Sequence, residues 1–363
     1  MKGGLPRVYS LAGAALVALV AACTPLPPAV DSSQYVPLAL APASFTGVRD
    51  ERANFRALFC REPGGSEEIP DEACRLALRH FRDEGEATRH IEPANLPRDR
   101  YRVALALGIG WDCVRDLIDE RELPTTALAE AGYATTLLEV EGLSSSERNA
   151  DIVAAQLEDS LAPEQQLILV GYSKGAVDLM VALQRHPELA ARTAALVTVA
   201  GSVGGSPVAE NAADSTTALL RFSPYGDCGQ GDRRAMESLR PVHRHAWLQD
   251  HLPLPVPAYA IVTAPGPDRV SPALRSSYKV LGAVHPLNDG ALLHWDQLLP
   301  GSTLLGYANA DHWAVAVPVQ VEDIPLGSLL VRNGYPRTRL WRAIIDYVIA
   351  DLENPVSQEG TGS

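Results

Sequence analysis

One pentapeptide constrains this chain more than any other feature. Gly171-Tyr172-Ser173-Lys174-Gly175 stands between the apolar run from Gln166 to Gly171 and a helical stretch from Lys174 to Arg185. A strand that passes into a helix within so few residues must reverse sharply. The residues two places either side of the serine must therefore be small. Such a turn lifts the serine hydroxyl out of the sheet. It also sets the hydroxyl at the start of a helix, where unpaired N–H groups and the helix dipole favour developing negative charge. In another context the same five residues would be a glycine turn that packs a strand on a helix.

The surrounding pattern repeats strand and helix. Short apolar runs at Tyr101–Leu107, Ala134–Val140, Gln166–Gly171, Ala194–Ala200, Pro257–Thr263 and Ser302–Ala308 read as buried strands. Helices are expected from about Cys113 to Ala131, from a capping box at Ser144 and Glu147 to about Leu161, from Lys174 to Arg185, and from Arg337 to Leu352. A loop of about 25 residues leads to Asn288-Asp289-Gly290, and a helical stretch follows to Leu299. Strands alternating with helices of this length predict an α/β fold, a mostly parallel central sheet with helices on both faces. Residues 201–256 break the rhythm and read as a cap insertion. Residues 50–98 look helical and polar, without strand signal, and read as an N-terminal extension ahead of a domain at 99–355.

The serine needs partners. A hydroxyl is a poor nucleophile near neutral pH until an imidazole takes its proton, and a carboxylate must hold that imidazole in the right tautomer. Asp289, in Asn-Asp-Gly, and His312, in Ala-Asp-His-Trp after the last strand, supply these groups in the chain order serine, acid, histidine. Asp268 and Asp296 are alternative acids. Asp311 adjoins His312 and is a poor orienter, because adjacent side chains usually point apart. With the G-x-S-x-G turn and this order, residues 100–352 resemble the α/β-hydrolases of the lipase and esterase type. The resemblance implies an oxyanion hole built from the N–H of Lys174 and one from Ile109 or Gly110. Many relatives carry His-Gly-x-Gly where this chain has Leu107-Gly108-Ile109-Gly110, so the bracing of that loop is open. Trp111 either lines the acyl pocket or belongs to the core.

Lys174 is one of three lysines, with Lys2 and Lys279. It either attracts an anionic substrate or is a solvated helix start. His243, His245 and His251 cluster in the cap, but their spacing fits no zinc pattern, and no cofactor motif is present. The charge of −13, from 31 basic and 44 acidic residues, argues against a nucleic-acid partner.

Lys2 and Arg7 precede an apolar run, Leu11–Ala22, too short to span a bilayer, which reads as a signal peptide over residues 1–22. The run ends Val20-Ala21-Ala22-Cys23, which resembles the lipobox of bacterial lipoproteins and implies a lipid on Cys23. Cleavage there removes two cations and no acid and leaves −15, so lipid rather than a basic patch must do the anchoring. The expected location is the bacterial cell envelope, on the periplasmic or the outer-membrane face. Residues 23–49 are rich in Pro and Ala and form a tether. At about 3.1 Å per residue, twenty such residues reach about 60 Å. The other cysteines, Cys60, Cys74, Cys113 and Cys228, are even in number, as disulfides in an exported chain require. Their placement favours Cys60–Cys74 and Cys113–Cys228.

The resulting expectation is a membrane-tethered serine hydrolase for ester or lipid substrates. Two other readings stay open: a catalytically idle binding or scaffold lipoprotein on the same fold, and an amidase, peptidase or thioesterase with the same triad.

Overall fold

The structure, a computed structural model, describes residues 47–61, 74, 76–115, 118, 120–158, 160, 162, 164–211, 231–318 and 334–354. Cys23, the signal peptide, the tether to residue 46 and Cys228 lie outside them.

The apolar runs form strands of one sheet. These are β1 Arg49–Asp50, β2 Leu78–Arg79, β3 Tyr101–Ala106, β4 Ala134–Leu137, β5 Gln166–Tyr172, β6 Thr193–Val199, β7 Ala258–Thr263 and β8 Thr303–Ala308. Their order is β4-β3-β5-β6-β7-β8-β1, and β2 also pairs with β8. Every pairing along that order is parallel, and β2 alone runs antiparallel to its partner. The chain passes from β3 outward to β4 and returns on the other side of β3 as β5. The order reverses there, and open α/β sheets bind ligands beyond the strand ends at such a reversal.

Period-two alternation sends side chains to two separate cores. Val103, Leu105, Ile168 and Val170 join one, with Phe55, Phe59, Trp341 and Tyr347. Ala104, Ala106, Leu167 and Leu169 join the other, with Val153, Val177, Met180 and Leu248. The helices supply the covers. They are α1 Arg52–Cys60, α2 Trp111–Val114, α3 Pro124–Glu130, α4 Ser146–Leu157, α5 Lys174–Arg185, α6 Pro187–Ala191, α7 Pro207–Asn211, α8 Ala235–Ser238, α9 Pro241–His251, α10 Arg275–Val284 and α11 Arg337–Glu353. Helices α1, α3 and α11 cover the first face, and α4, α5 and α9 the second. Residues 201–256 hold α7, α8 and α9 and no strand among the described residues.

Several expectations need correction. The segment 50–98 is not an appendage without strands. Residues Arg49–Asp50 and Leu78–Arg79 pair with β8, and Phe55 and Phe59 are buried in the core. Two-residue strands are too short to carry a periodicity. The helix expected from Cys113 to Ala131 is divided into α2, a 3-10 turn at Glu120–Glu122 and α3, which begins at Pro124, where a missing N–H costs nothing. The helix start near residue 145 lies one residue later than the capping box implies. Ser145 Oγ accepts from Arg148 N at 3.3 Å, while Ser144 Oγ donates to Glu141 at 2.5 Å. The loop before Asn288 contains α10, and the helical stretch after Gly290 reduces to a 3-10 turn at His294–Gln297.

Cys60 and Cys74 form a disulfide. Cys113 is disulfide-bonded as well. Among the described residues no helix is long and apolar enough to cross a membrane.

Candidate active site

Strand β5 ends on the pentapeptide, and the close packing there requires its two glycines. A Cβ on Gly171 would come within 2.3 Å of Ala176 Cα, and one on Gly175 within 2.2 Å of Ala106 O. Helix α5 therefore crosses the ends of β5 and β3 in direct backbone contact. Ser173 between them adopts φ 55° and ψ −123°, a conformation that costs a non-glycine residue about 1–3 kcal/mol. Its backbone holds it there: its N–H donates to Val199 O at 3.2 Å, and its carbonyl accepts from Ala176 N and Ser202 N.

The tight turn puts Ser173 Oγ 2.9 Å from His312 Nε2. His312 follows β8, and its other ring nitrogen, Nδ1, lies 2.8 Å from Asp289 Oδ2. Ser173 and two residues more than a hundred positions further along the chain thus form one line of hydrogen bonds, and all three are buried. The Asp289 carboxylate is fully enclosed and fully partnered. Oδ1 accepts from Ala291 N at 2.9 Å and Leu292 N at 2.7 Å. Oδ2 accepts from Thr263 Oγ1 at 2.6 Å as well as facing the imidazole. Such a carboxylate can orient a ring and balance its positive charge without searching for a rotamer.

Among the candidate acids, the one on His312 is Asp289. Asp268 is exposed on a 3-10 turn, and Asp296 is buried in the turn after Leu293. Asp311 braces the histidine loop instead, accepting from Trp313 N, Ala314 N and Ser271 N. Tyr172 adds a further brace that the sequence does not reveal: its hydroxyl donates to His312 O at 2.7 Å. Burial, and then the charges of Asp289 and Asp311, push that phenol well above its ordinary value, so it remains a donor.

The turn after β3 lies against Ser173. A Cβ on Gly108 would meet Ser173 Cβ at 2.9 Å, so only glycine lets the turn approach this closely. Gly110 is not available in the way expected. Its N–H donates to Gly142 O at 3.1 Å. Asp112 Oδ1 accepts from Gly142 N at 3.2 Å. The loop is therefore braced by the segment after β4, without the histidine found in many relatives. Trp111 is core, buried in the cluster beneath α11.

Lys174 departs from both of its expected roles. It neither faces substrate nor sits in water. Nζ is 2.7 Å from Asp178 Oδ1, and both side chains are 1% exposed. The cap histidines do not converge: on α9, His243 Nδ1 pairs with Glu237 O, and His251 stacks on Trp247. Among the described residues no group of His, Cys, Asp and Glu could hold a metal.

No protein-family model and no curated protein matches the chain. Solved structures do. A metagenomic carboxyl esterase, MGS0156, is 33% identical over 90% of this chain and 100% of its own, with a TM-score of 0.78. The lipase of Staphylococcus hyicus is 11% identical over 73% of this chain and 99% of its own, with a TM-score of 0.54, a likeness of fold alone. By its sheet order, its strand-turn-helix serine and its identity to the esterase across nearly its whole length, the chain belongs to the α/β-hydrolases of the esterase and lipase type.

Proposed function

We propose that the protein is a serine hydrolase of carboxylic esters, held at the cell envelope by a lipid on Cys23. The observation that carries the catalytic reading is the continuous line Asp289–His312–Ser173, with contacts of 2.8 and 2.9 Å. The relation to the carboxyl esterase supports the choice of ester.

In this reading Ser173 Oγ attacks the ester carbonyl while His312 Nε2 takes the hydroxyl proton. The carbonyl π electrons move to oxygen, and the N–H groups of Lys174 and Ile109 meet the resulting oxyanion. The tetrahedral centre collapses. The alcohol leaves with the proton from His312, and an acyl group stays on Ser173. Water, deprotonated by the same imidazole, then attacks the acyl-serine; the acyl–Oγ bond breaks, the acid leaves, and His312 returns the proton to Ser173 Oγ. Asp289 holds the ring and balances its charge and does not itself take the proton.

The tether is supported by Val20-Ala21-Ala22-Cys23 after a short apolar run and by the Pro-rich segment that follows. A domain held within reach of a bilayer meets lipid esters, which makes lipids natural substrates.

Hydrolysis of p-nitrophenyl esters of graded chain length tests the reaction and the depth of the acyl pocket together. A fluorophosphonate should label Ser173 in the parent and nothing in Ser173→Ala. Labelling of another serine would show the nucleophile to be misplaced. Cys23→Ala should release the protein from membranes or block its processing. A variant still cut after Ala22 and still membrane-bound would refute the lipid anchor.

A further inference from the structure

We infer that Asn149 is a positioning residue for the oxyanion site, fixing one half of that site against the other through a buried polar chain. The inference rests on the proposed role of Ser173 and extends it to groups that touch neither substrate nor nucleophile.

The two halves of the site arise on different segments. One is the start of α5 at Lys174, and the other is the turn Gly108–Gly110 beyond the end of β3. Within the sheet, β3 and β5 are held in register from Tyr101 opposite Gln166 to Ala106 opposite Gly171. Beyond Ala106 the turn has left the sheet and needs another support. That support is Gly142, which accepts from Gly110 N at 3.1 Å and donates to Asp112 Oδ1 at 3.2 Å. Gly142 is itself in a loop, five residues past the end of β4.

Asn149, on α4, fixes that loop. Its Oδ1 accepts from Glu141 N at 3.1 Å, and its Nδ2 donates to Glu141 O at 3.0 Å. One side-chain amide thus holds both backbone groups of the residue before Gly142. The same Nδ2 donates to Asp178 Oδ2 at 2.8 Å, and Asp178 Oδ1 meets Lys174 Nζ at 2.7 Å. The connection therefore runs from Lys174 through Asp178, Asn149, Glu141 and Gly142 to Gly110. Its three interior side chains, Lys174, Asp178 and Asn149, are each at most 1% exposed.

Only an amide satisfies position 149. It needs one acceptor and two donor hydrogens, the inventory of Asn. An aspartate would turn a carboxylate toward Asp178, and a leucine would leave two backbone groups and a carboxylate unpaired. Out of water each bond is stiffer and dearer to lose. The two ends of the chain give it a purpose beyond stability, because they are the two segments that carry the oxyanion N–H groups. A displacement of less than 1 Å between them is enough to lower turnover.

The test compares kinetics on a p-nitrophenyl ester with inhibition by an alkyl trifluoromethyl ketone, which forms a tetrahedral adduct on serine. Asn149→Ala should lower kcat about 10- to 100-fold, less than the loss of a whole oxyanion donor, with KM within about twofold. The ketone should weaken in the same proportion as kcat. Gly142→Ala strains the chain from its far end, since the new Cβ would come within 2.6 Å of Gly110 N and 2.3 Å of Asp112 Oδ1. It should show the same split. Arg185→Ala, exposed at the other end of α5, should change none of the three quantities. Thermal unfolding of each variant separates a lost fold from a lost geometry. If Asn149→Ala does not fold, Gly142→Ala decides alone. Folded variants with kcat within about twofold of the parent, or with ketone affinity unchanged, overturn the inference. Hydrolysis that survives Ser173→Ala instead overturns the reading on which it rests.

Discussion

Tyr172 donates its hydroxyl to the backbone carbonyl of His312 at 2.7 Å, so the residue before Ser173 holds the histidine that meets Ser173 Oγ. The two rings lie 5.4 Å apart. Strand β5 thereby sets the position of the histidine loop as well as that of the serine. Tyr172→Phe keeps the ring and leaves a buried carbonyl unpaired, a loss of about 1–3 kcal/mol. Turnover should fall about tenfold with KM little changed, as measured on a p-nitrophenyl ester. A parent-like kcat would show that the loop is held without this bond.

The three residues of the hydrogen-bonded line should act as one unit. Ser173→Ala and His312→Ala should each abolish ester hydrolysis, since nucleophile and base are each indispensable. Asp289→Asn should cost about 10⁴ in kcat by favouring the wrong tautomer, while Asp268→Asn should cost little. Full activity in Asp289→Asn would assign the orienting role elsewhere.

The pair Lys174–Asp178 offers a stability test. Breaking a buried pair by removing one partner leaves a charge uncompensated, worth about 3–5 kcal/mol, whereas neutralising both leaves no buried charge. Lys174→Met should therefore lower the urea midpoint more than Lys174→Met combined with Asp178→Asn, which removes the charge and keeps an acceptor for Asn149 Nδ2. An ordering the other way would mean that the pair is not desolvated as a unit.

His294 lies against His285, Trp295 and Tyr307, with ring centroids at 4.8, 5.0 and 6.2 Å. Burial, and then the charge of His285, push its imidazole down to about 4. The unfolded chain takes up this proton near pH 6.5 and the folded chain only near 4. The stability it contributes is complete above about pH 6.5 and is lost as the pH falls toward 4. Between pH 7.5 and 5 the contribution lost is about 2 kcal/mol. Urea unfolding at the two pH values should show a smaller drop for His294→Phe than for the parent. Equal drops would remove His294 from the titration.

The Cys60–Cys74 disulfide closes a loop with a sequence separation of 14, for which chain entropy gives about 3 kcal/mol. The double variant Cys60→Ser, Cys74→Ser should lose about that much in urea unfolding. An unshifted midpoint would mean that the native fold already restrains this loop without the bond.

The parts of this architecture visible in the sequence are those in which one local pattern dictates one local structure. The runs beginning at Tyr101 and Gln166 alternate between two buried faces and announce themselves by composition. Gly171 and Gly175 are legible because the helix crossing leaves no room for a Cβ. Asp289 and His312 could be proposed from their order along the chain, while their meeting at 2.8 Å depends on how the loops after β7 and β8 close. What stays hidden depends on distant partners. Nothing near Lys174 says that it is buried, because Asp178 lies one turn away on a helix that could equally face water. Asn149 and Asp112 look like ordinary polar residues until Gly142 is placed between them. Arg49–Asp50 and Leu78–Arg79 become strands only because β8 offers an open side.

That placement has a consequence for how the molecule is made. An uncovered outer strand is a template for pairing with another chain, and natural sheets protect theirs. Here the protection comes from near the beginning of the chain: Arg49 and Asp50 lie against Thr303 and Leu304, and Leu78 and Arg79 against Ala308 and Tyr307. The early residues must wait for partners some 230 to 250 positions later, contacts of the most non-local and slowest-forming kind. The adhesive flank of β8 does not exist until late in synthesis, and the segments that cover it have by then already been made.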